Sequence, residues 1–204
     1  GYKFLAISII ATFIVLLFSK FLGSLLILIT IWIYYFFRDP ERYSINDNAF
    51  LVSPADGLIT DISEQTGPIE LQLENTTYTK ASIFMNVFNC HVNRTPLAGT
   101  IEEINYKPGK FLNASLDKAS EENERNYYKI ICSKSGEEII IVQIAGLIAR
   151  RIVCEVEQGQ NLEQGDRIGM IRFGSRVDIY FKNKKVLAKV GQNVVAGESL
   201  IASE

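Results

Sequence analysis

Between Phe4 and Phe37 the chain carries one charge, Lys20, and is otherwise almost wholly apolar. A single helix over that stretch would run roughly 50 Å at about 1.5 Å per residue, too long for a hydrocarbon core of roughly 30 Å. Lys20-Phe21-Leu22-Gly23-Ser24 offers a break that leaves residues 4–18 and 22–37, each short for a spanning helix. A tight helical hairpin, or a re-entrant interfacial pair, is therefore expected. A buried helical hairpin of a soluble protein is the competing reading of the same pattern. Trp32, Tyr34 and Tyr35 have the character of an interfacial aromatic belt. From Lys3 before the stretch and Arg38 and Arg42 after it, both ends and the part that follows are expected on the cytoplasmic side of the cell membrane. A secretory signal, with its basic leader, one short apolar core and small-residue cleavage site, is a different pattern.

Arg38-Asp39-Pro40-Glu41-Arg42 is charged and broken by proline, so residues 1–38 read as a hydrophobic membrane anchor and 39–204 as one domain. Short apolar runs then dominate. Strands are expected at 50–54, 58–62, 81–92, 99–101, 139–144 and 148–156, and on either side of Gly174-Ser175. Turns are expected at Ala55-Asp56-Gly57, Gly67-Pro68 and Arg94-Thr95-Pro96, and the charged stretch 121–125 reads as a solvated loop. Near the C-terminus Gly159-Gln160-Asn161-Leu162-Glu163-Gln164-Gly165-Asp166-Arg167-Ile168 recurs as Gly191-Gln192-Asn193-Val194-Val195-Ala196-Gly197-Glu198-Ser199-Leu200. Two such half-motifs resemble the barrel-sandwich of biotinyl and lipoyl carrier domains. The expected fold class is thus mainly β, a barrel-sandwich-like β domain preceded by an N-terminal hydrophobic helical hairpin. Fold alone does not give function.

A formal charge of −2 argues against a basic nucleic-acid surface, and no nucleic-acid partner is expected. Cys90, Cys132 and Cys154 form an odd set without paired spacing, which indicates neither a disulfide framework nor a metal site and fits a reducing compartment. Asp117-Lys118-Ala119 matches a lipoyl-acceptor tripeptide, but an acceptor lysine sits between the two half-motifs and this one precedes both. A non-enzymatic, membrane-anchored adaptor with a barrel-sandwich domain is the rival reading, although no long heptad hairpin accompanies it. Asn75-Thr76-Thr77 and Asn113-Ala114-Ser115 match the glycosylation pattern and mean nothing in a cytoplasmic domain.

His91 is the only histidine, so any imidazole chemistry falls to it. Cys90 beside it suggests a Cys–His nucleophile, but on the strand expected here neighbouring side chains face opposite sides. Asp56 is most simply a turn residue. Arg150 and Arg151, set between apolar runs, need partners, either an anionic ligand or a carboxylate of the protein. Gly174-Ser175 reads as an ordinary turn, or as a place where a hydroxyl reaches the preceding carbonyl and attacks it once a base takes its proton.

Five motifs occur in order: Phe36-Phe37-Arg38-Asp39-Pro40-Glu41-Arg42, Ser53-Pro54-Ala55-Asp56-Gly57, Asn89-Cys90-His91-Val92-Asn93-Arg94-Thr95-Pro96, Gly109-Lys110-Phe111-Leu112-Asn113-Ala114 and Arg172-Phe173-Gly174-Ser175-Arg176. Together, from about Phe36 to Tyr180, they resemble the short, archaeal-type branch of the phosphatidylserine decarboxylases, and the apolar anchor fits that family too. The resemblance implies a proenzyme that cuts itself at Gly174-Ser175 into a large subunit ending at 174 and a small one starting at 175. It implies a carboxy-lyase of phospholipid biosynthesis, whose pyruvoyl group, derived from Ser175, forms a Schiff base with phosphatidylserine and yields phosphatidylethanolamine. The cofactor is then the pyruvoyl group with no metal, and the partners are phosphatidylserine, membrane lipid and the paired subunits, with further homo-oligomerisation left open.

By the same resemblance Ser175 is the nucleophile, His91 its base and Asp56 the group that orients His91. Lys110, Arg150, Arg151 and Arg176 are the cationic candidates for the substrate's carboxylate and phosphodiester. The longer bacterial branch has a second histidine three residues after the first, where this chain has Arg94. His91 is accordingly expected to serve both self-cleavage and decarboxylation.

Overall fold

Ser19 alone divides the apolar stretch in the computed structural model, which describes residues 1–110, 122–146, 151–172 and 175–204. Its backbone is extended (φ −148°, ψ 112°) and its hydroxyl accepts the Leu22 N–H at 3.3 Å, which ends α1 (Tyr2–Phe18) and caps α2 (Lys20–Phe36). The break expected across 20–24 is thus confined to one capping residue, and Lys20 already begins the second helix. Gly23 lies within α2, where a β-carbon would collide with Leu16 of α1. The helices run antiparallel, with the Ser8 and Thr12 hydroxyls meeting that of Thr30 at 2.6 and 3.0 Å. Outward they present Ile7, Ile10, Phe13, Phe18, Phe21 and Leu28, all exposed. Among the described residues no helix is long and apolar enough to cross a membrane. These helices belong to one of two units, Gly1–Pro40 and Glu41–Glu204.

The second unit is built from strands β1 (Phe50–Val52), β2 (Gly57–Thr66), β3 (Thr77–Met85), β4 (Val92–Arg94), β5 (Gly99–Lys107), β6 (Arg125–Cys132) and β7 (Glu138–Ala145). It continues with β8 (Ile152–Cys154), β9 (Asn161–Leu162), β10 (Arg167–Ile171), β11 (Ser175–Phe181), β12 (Lys185–Val186), β13 (Asn193–Val194) and β14 (Leu200–Ser203). They form an eight-stranded sheet, β13-β2-β3-β11-β7-β6-β5-β9, and two three-stranded sheets, β1-β14-β12 and β4-β10-β8. The protein is therefore mainly β. Residues alternating along the large sheet bury Ile59, Ile83, Ile130, Ile141, Val177 and Ile179 in the main core, while Tyr78, Tyr127, Ile140, Val142 and Ile144 pack on the opposite face.

The sheet orders read alike from both ends, because the unit is internally duplicated. Ile59 N–H donates to Gln192 O as Ile101 N–H does to Gln160 O, both at 2.9 Å. Gly191 N–H returns to Ile59 O at 2.8 Å and Gly159 N–H to Ile101 O at 2.7 Å. These two glycines share φ values of +87° and +84°, which only glycine adopts without strain, and Gly197 and Gly165 match at +77° and +89°. The β2–β3 pair bulges between Ile59 and Asp61, and the β5–β6 pair between Ile101 and Glu103. The repeat seen in the C-terminal sequence is thus half of a larger one that includes 53–59 and 95–101, where Ser53 Oγ donates to Ala55 O and Thr95 Oγ1 to Leu97 O.

Gly57 and Gly99 hold equivalent places, and a β-carbon on either would meet a backbone carbonyl, that of Phe84 or Ile131. Replacing Gly57 with alanine should therefore push β2 off β3 and cost about 1–3 kcal/mol. A denaturant titration of the variant should show an earlier midpoint at unchanged slope.

Further expected elements differ. The strand expected over 148–156 is confined, among the described residues, to β8, and its residues 148–150 lie outside them. The strand predicted over 81–92 stops at Met85, because Asn86 and Asn89 bond to the local backbone and turn the chain before β4. The charged stretch 121–125, in its described part, is buried from Asn123 onward rather than solvated. Its polar groups are spent inside: Asn123 Nδ2 on Ala145 O (2.7 Å), Glu124 Oε1 on the Ile152 N–H (3.1 Å) and Arg125 on Glu70 (3.3 Å).

Candidate active site

The two halves differ in how their long strands are joined. In one half β6 and β7 are closed into a hairpin by residues 133–137, with Gly136 at φ +71°. In the other half the corresponding strands, β3 and β11, stay open: β3 leaves at Met85 and β11 enters at Ser175. Ser175 is flanked by Met85 on β3 and Ala145 on β7. Alternation along β11 puts it on the same face as Val177, Ile179 and Phe181, toward the main core. It is fully buried, and among the described residues its Oγ has no hydrogen-bond partner. Leaving a hydroxyl in that state costs about 1–3 kcal/mol.

His91 comes from the segment that fills this open end. Its carbonyl accepts the Ile171 N–H at 3.3 Å, and Val92 and Asn93 pair with Met170 and Gly169 on β10, the strand that leads to Ser175. The imidazole is fully buried, and its Nδ1 lies 3.0 Å from Asn89 O. A carbonyl can only accept, so Nδ1 carries the proton and the neutral ring has its lone pair on Nε2. Such a ring can take a hydroxyl proton at Nε2 while its charged form stays held at Nδ1.

A buried polar chain, outside the motifs, ends at Met85, the cross-strand neighbour of Ser175. Tyr128 donates to Gln143 Oε1 at 2.7 Å, Gln143 Nε2 donates to Asn93 Oδ1 at 2.8 Å, and Asn93 Nδ2 points to Met85 Sδ at 3.7 Å. Burial pushes the Tyr128 phenol well above its ordinary range, so it remains a donor. The chain ties β6, β7 and β4 to Met85, the residue beside Ser175. Replacing Gln143 with leucine leaves the Asn93 carbonyl without its donor and the Tyr128 phenol with only its longer contact to Ile168 O (3.3 Å), and the melting temperature should fall by roughly 2–10 °C. The sequence signal was present: an amide in the middle of Ile139-Ile140-Ile141-Val142-Gln143-Ile144 needs a partner.

Asp56 lies in the turn before β2, which reaches β4 through Arg94 N–H donating to Pro54 O at 2.9 Å. Its carboxylate is taken by Arg42 Nη2, at 2.9 and 3.2 Å to the two oxygens, and by the Ala196 N–H at 2.8 Å. The orienting contact on His91 Nδ1 is thus the Asn89 carbonyl, and the expected Asp56–His91 hydrogen bond is not among the contacts of the described residues. Arg94, in the place of the longer branch's second histidine, donates to Gly165 O at 2.9 Å.

Of the cationic candidates, Lys110 and Arg151 are tied to the strands around Ser175 through their backbones. Lys110 exchanges backbone hydrogen bonds with Glu122 and Glu124, and its ammonium pairs with Glu122 at 3.0 Å. Glu124 O accepts the Ala145 N–H, and Arg151 O accepts the Arg172 N–H. Arg151 is exposed, and among the described residues it forms no ion pair. Arg176 follows Ser175 on one strand and so faces away from it, paired with Asp178 at 2.9 Å. Gly174 and Arg150 lie outside the described residues, as does the 117–119 tripeptide.

Residues 29–202 match the family described as phosphatidylserine decarboxylase. The chain is 65% identical to a phosphatidylserine decarboxylase proenzyme of Pelagibacter ubique, over 100% of this chain and 94% of the relative. Proenzymes bearing that name from Ruegeria pomeroyi and Rickettsia akari are 48% and 47% identical over 99% of this chain, covering 92% and 87% of their own lengths.

Proposed function

This chain belongs to the phosphatidylserine decarboxylase family, and we propose from that premise that it cuts itself between Gly174 and Ser175 and then decarboxylates phosphatidylserine to phosphatidylethanolamine. The observation that carries the reading is the buried, unpartnered Ser175 Oγ at the open end of the duplicated sheet. The adaptor alternative has no need of such a group, and no relative named above supports it.

In the self-cleavage step His91 Nε2 takes the Ser175 hydroxyl proton, and Oγ attacks the Gly174 carbonyl carbon. The C–N bond breaks as the amide becomes an ester. Loss of the Ser175 α-proton then expels the Gly174 carboxylate, which ends the large subunit, and leaves a dehydroalanine. Water converts that to a pyruvoyl group and ammonia. An orphaned side chain at position 175 fits this fate, because the residue gives up the very atom that lacks a partner. When formed, the pyruvoyl group supplies the electron sink for a carbon that loses carbon dioxide. The chain's own residues do the rest. His91, held at Nδ1 by Asn89, delivers a proton to the substrate carbon. Asp56, held by Arg42 and the Ala196 N–H, braces the turn whose Pro54 carbonyl takes the Arg94 N–H on the strand that follows His91. Arg151, with Lys110 and Arg150, binds the carboxylate and phosphodiester of the head group. Arg176 serves instead through its pair with Asp178, fixing the start of β11.

The duplicated glycine turns support a barrel-sandwich reading of the β unit. The apolar exterior of α1 and α2 supports a membrane-embedded hairpin anchor. Lys3, Arg38 and Arg42, which flank the apolar stretch in the sequence, support a catalytic unit on the cytoplasmic side of the cell membrane. Phosphatidylserine labelled at its serine carboxyl tests the function. The purified protein should release labelled carbon dioxide and form an equal amount of phosphatidylethanolamine, whereas a cleaved protein that releases none overturns the reading.

A further inference from the structure

The amide of Asn93 ends a one-way row of hydrogen-bond donors beside Ser175. Met85 and Ser175 are directly opposed across β3 and β11, so their side chains share the core face with Cβ atoms about 4.5–5.5 Å apart. The Met85 thioether accepts hydrogen bonds and donates none, so the Asn93 amide turns its NH2 group toward Sδ, at 3.7 Å, and its Oδ1 away. Oδ1 then takes the Gln143 Nε2 donor at 2.8 Å, and Gln143 Oε1 takes the Tyr128 hydroxyl at 2.7 Å. The other acceptor at that hydroxyl, Ile168 O, is farther off, at 3.3 Å. Asn93, Gln143 and Tyr128 are all fully buried. In such a row each bond polarises the next, which strengthens the last donor. That last donor meets only a thioether, a weak acceptor on a flexible side chain.

We propose that Asn93 is a catalytic residue of self-cleavage: its Nδ2 donates to Ser175 Oγ as that oxygen leaves the ester intermediate. The proposal rests on the reading above that the chain cuts itself at Ser175. His91, after passing its first proton to the departing amine, takes the Ser175 α-proton. The C–H electron pair becomes the Cα=Cβ double bond. The Cβ–Oγ pair stays on Oγ, which becomes a carboxylate oxygen of the large subunit. Before the reaction Oγ has no hydrogen-bond partner among the described residues, so the charge that develops on it calls for a donor that engages only then. The Asn93 amide fills that part when the Met85 thioether swings aside.

The test follows cleavage of Asn93→Ala over hours, with and without neutral hydroxylamine, which splits an ester and leaves an amide intact. Formation of the pyruvoyl chain should slow by about 10–100-fold, the scale of one hydrogen bond to a charged group. Hydroxylamine should then cut the variant faster than it cuts itself. The masses should be those of a small chain with an unaltered N-terminal serine and a large chain ending in a hydroxamate. Damage that merely loosened the site would slow the attack of Oγ and leave no ester to trap. Asn93→Leu combined with Gln143→Met removes donor and partner together, the change that costs a buried pair least, and should trap the same ester. Cleavage at the parent rate, or slowed cleavage with nothing for hydroxylamine to trap, overturns the proposal. Loss of the fold in both variants, read from a thermal melt, assigns the amide to structure alone and overturns it as well. An unsubstituted chain that never cuts itself is a different failure, that of the functional reading, and takes this inference with it.

Discussion

Ser175→Ala gives a single uncut chain without decarboxylase activity, and that chain is at least as stable as the parent before cleavage. The first half follows from the proposed chemistry, since without Oγ nothing attacks the Gly174 carbonyl and no pyruvoyl group forms. The loss is therefore complete rather than fractional. The second half follows from the structure. Ser175 is fully buried between Met85 and Ala145, and its hydroxyl has no partner among the described residues. Removing an unsatisfied buried hydroxyl relieves a penalty of about 1–3 kcal/mol and opens only a small gap. A serine kept for structure would behave the opposite way, with alanine lowering the melting temperature and sparing activity. Electrophoresis, a decarboxylation assay and a thermal melt of the variant, compared with a parent held uncut, separate the two.

His91→Ala slows self-cleavage by about 10²–10⁴-fold, the range that a positioned general base contributes. The imidazole is the only one in the chain, so no neighbouring histidine can substitute for it. Added imidazole should recover part of the rate by entering the space left behind, an outcome that a purely structural histidine would not produce. Variant chain that has cut itself slowly, or with added imidazole since removed, should still decarboxylate poorly, because the same ring is asked to protonate the product carbon. The order of bands on a gel over hours, with and without imidazole, measures the first effect. Activity per mole of cut chain measures the second.

The legibility of this fold lay in its glycines. Gly159, Gly165, Gly191 and Gly197 stand in equivalent left-handed turns, and their spacing in the sequence announced the C-terminal half of the duplication. The upstream half was hidden because its copies share only a hydroxyl residue, a proline and a glycine, in Ser53-Pro54-Ala55-Asp56-Gly57 and Thr95-Pro96-Leu97-Ala98-Gly99. Those few positions are the ones that geometry demands: the hydroxyl closes the turn and the glycine admits a neighbouring carbonyl. The remaining positions are free to diverge, so the symmetry survives in the strands and not in the letters.

Ser175 and His91 could be placed by motif, but their setting could not. The run 81–92 is apolar enough to read as one strand, and only the two asparagines at 86 and 89 hinted at the turn that aims His91. Glu124 and Arg125 read as solvated because sequence shows charge and not its partners; here a backbone N–H and Glu70 satisfy them inside. Which carboxylate or carbonyl faces an imidazole is likewise a matter of three-dimensional approach. Asp56 goes to Arg42 and Ala196, and the Asn89 carbonyl two residues from His91 takes the ring.

The central claim is that Ser175 turns itself into the reactive group, and the intact mass of the denatured, purified protein measures this directly. The account predicts two chains divided between Gly174 and Ser175, the smaller one lighter by one ammonia than hydrolysis of that bond would leave it. A single uncut chain that persists after incubation with phosphatidylserine vesicles, or a small chain that begins with an unaltered serine, would contradict it.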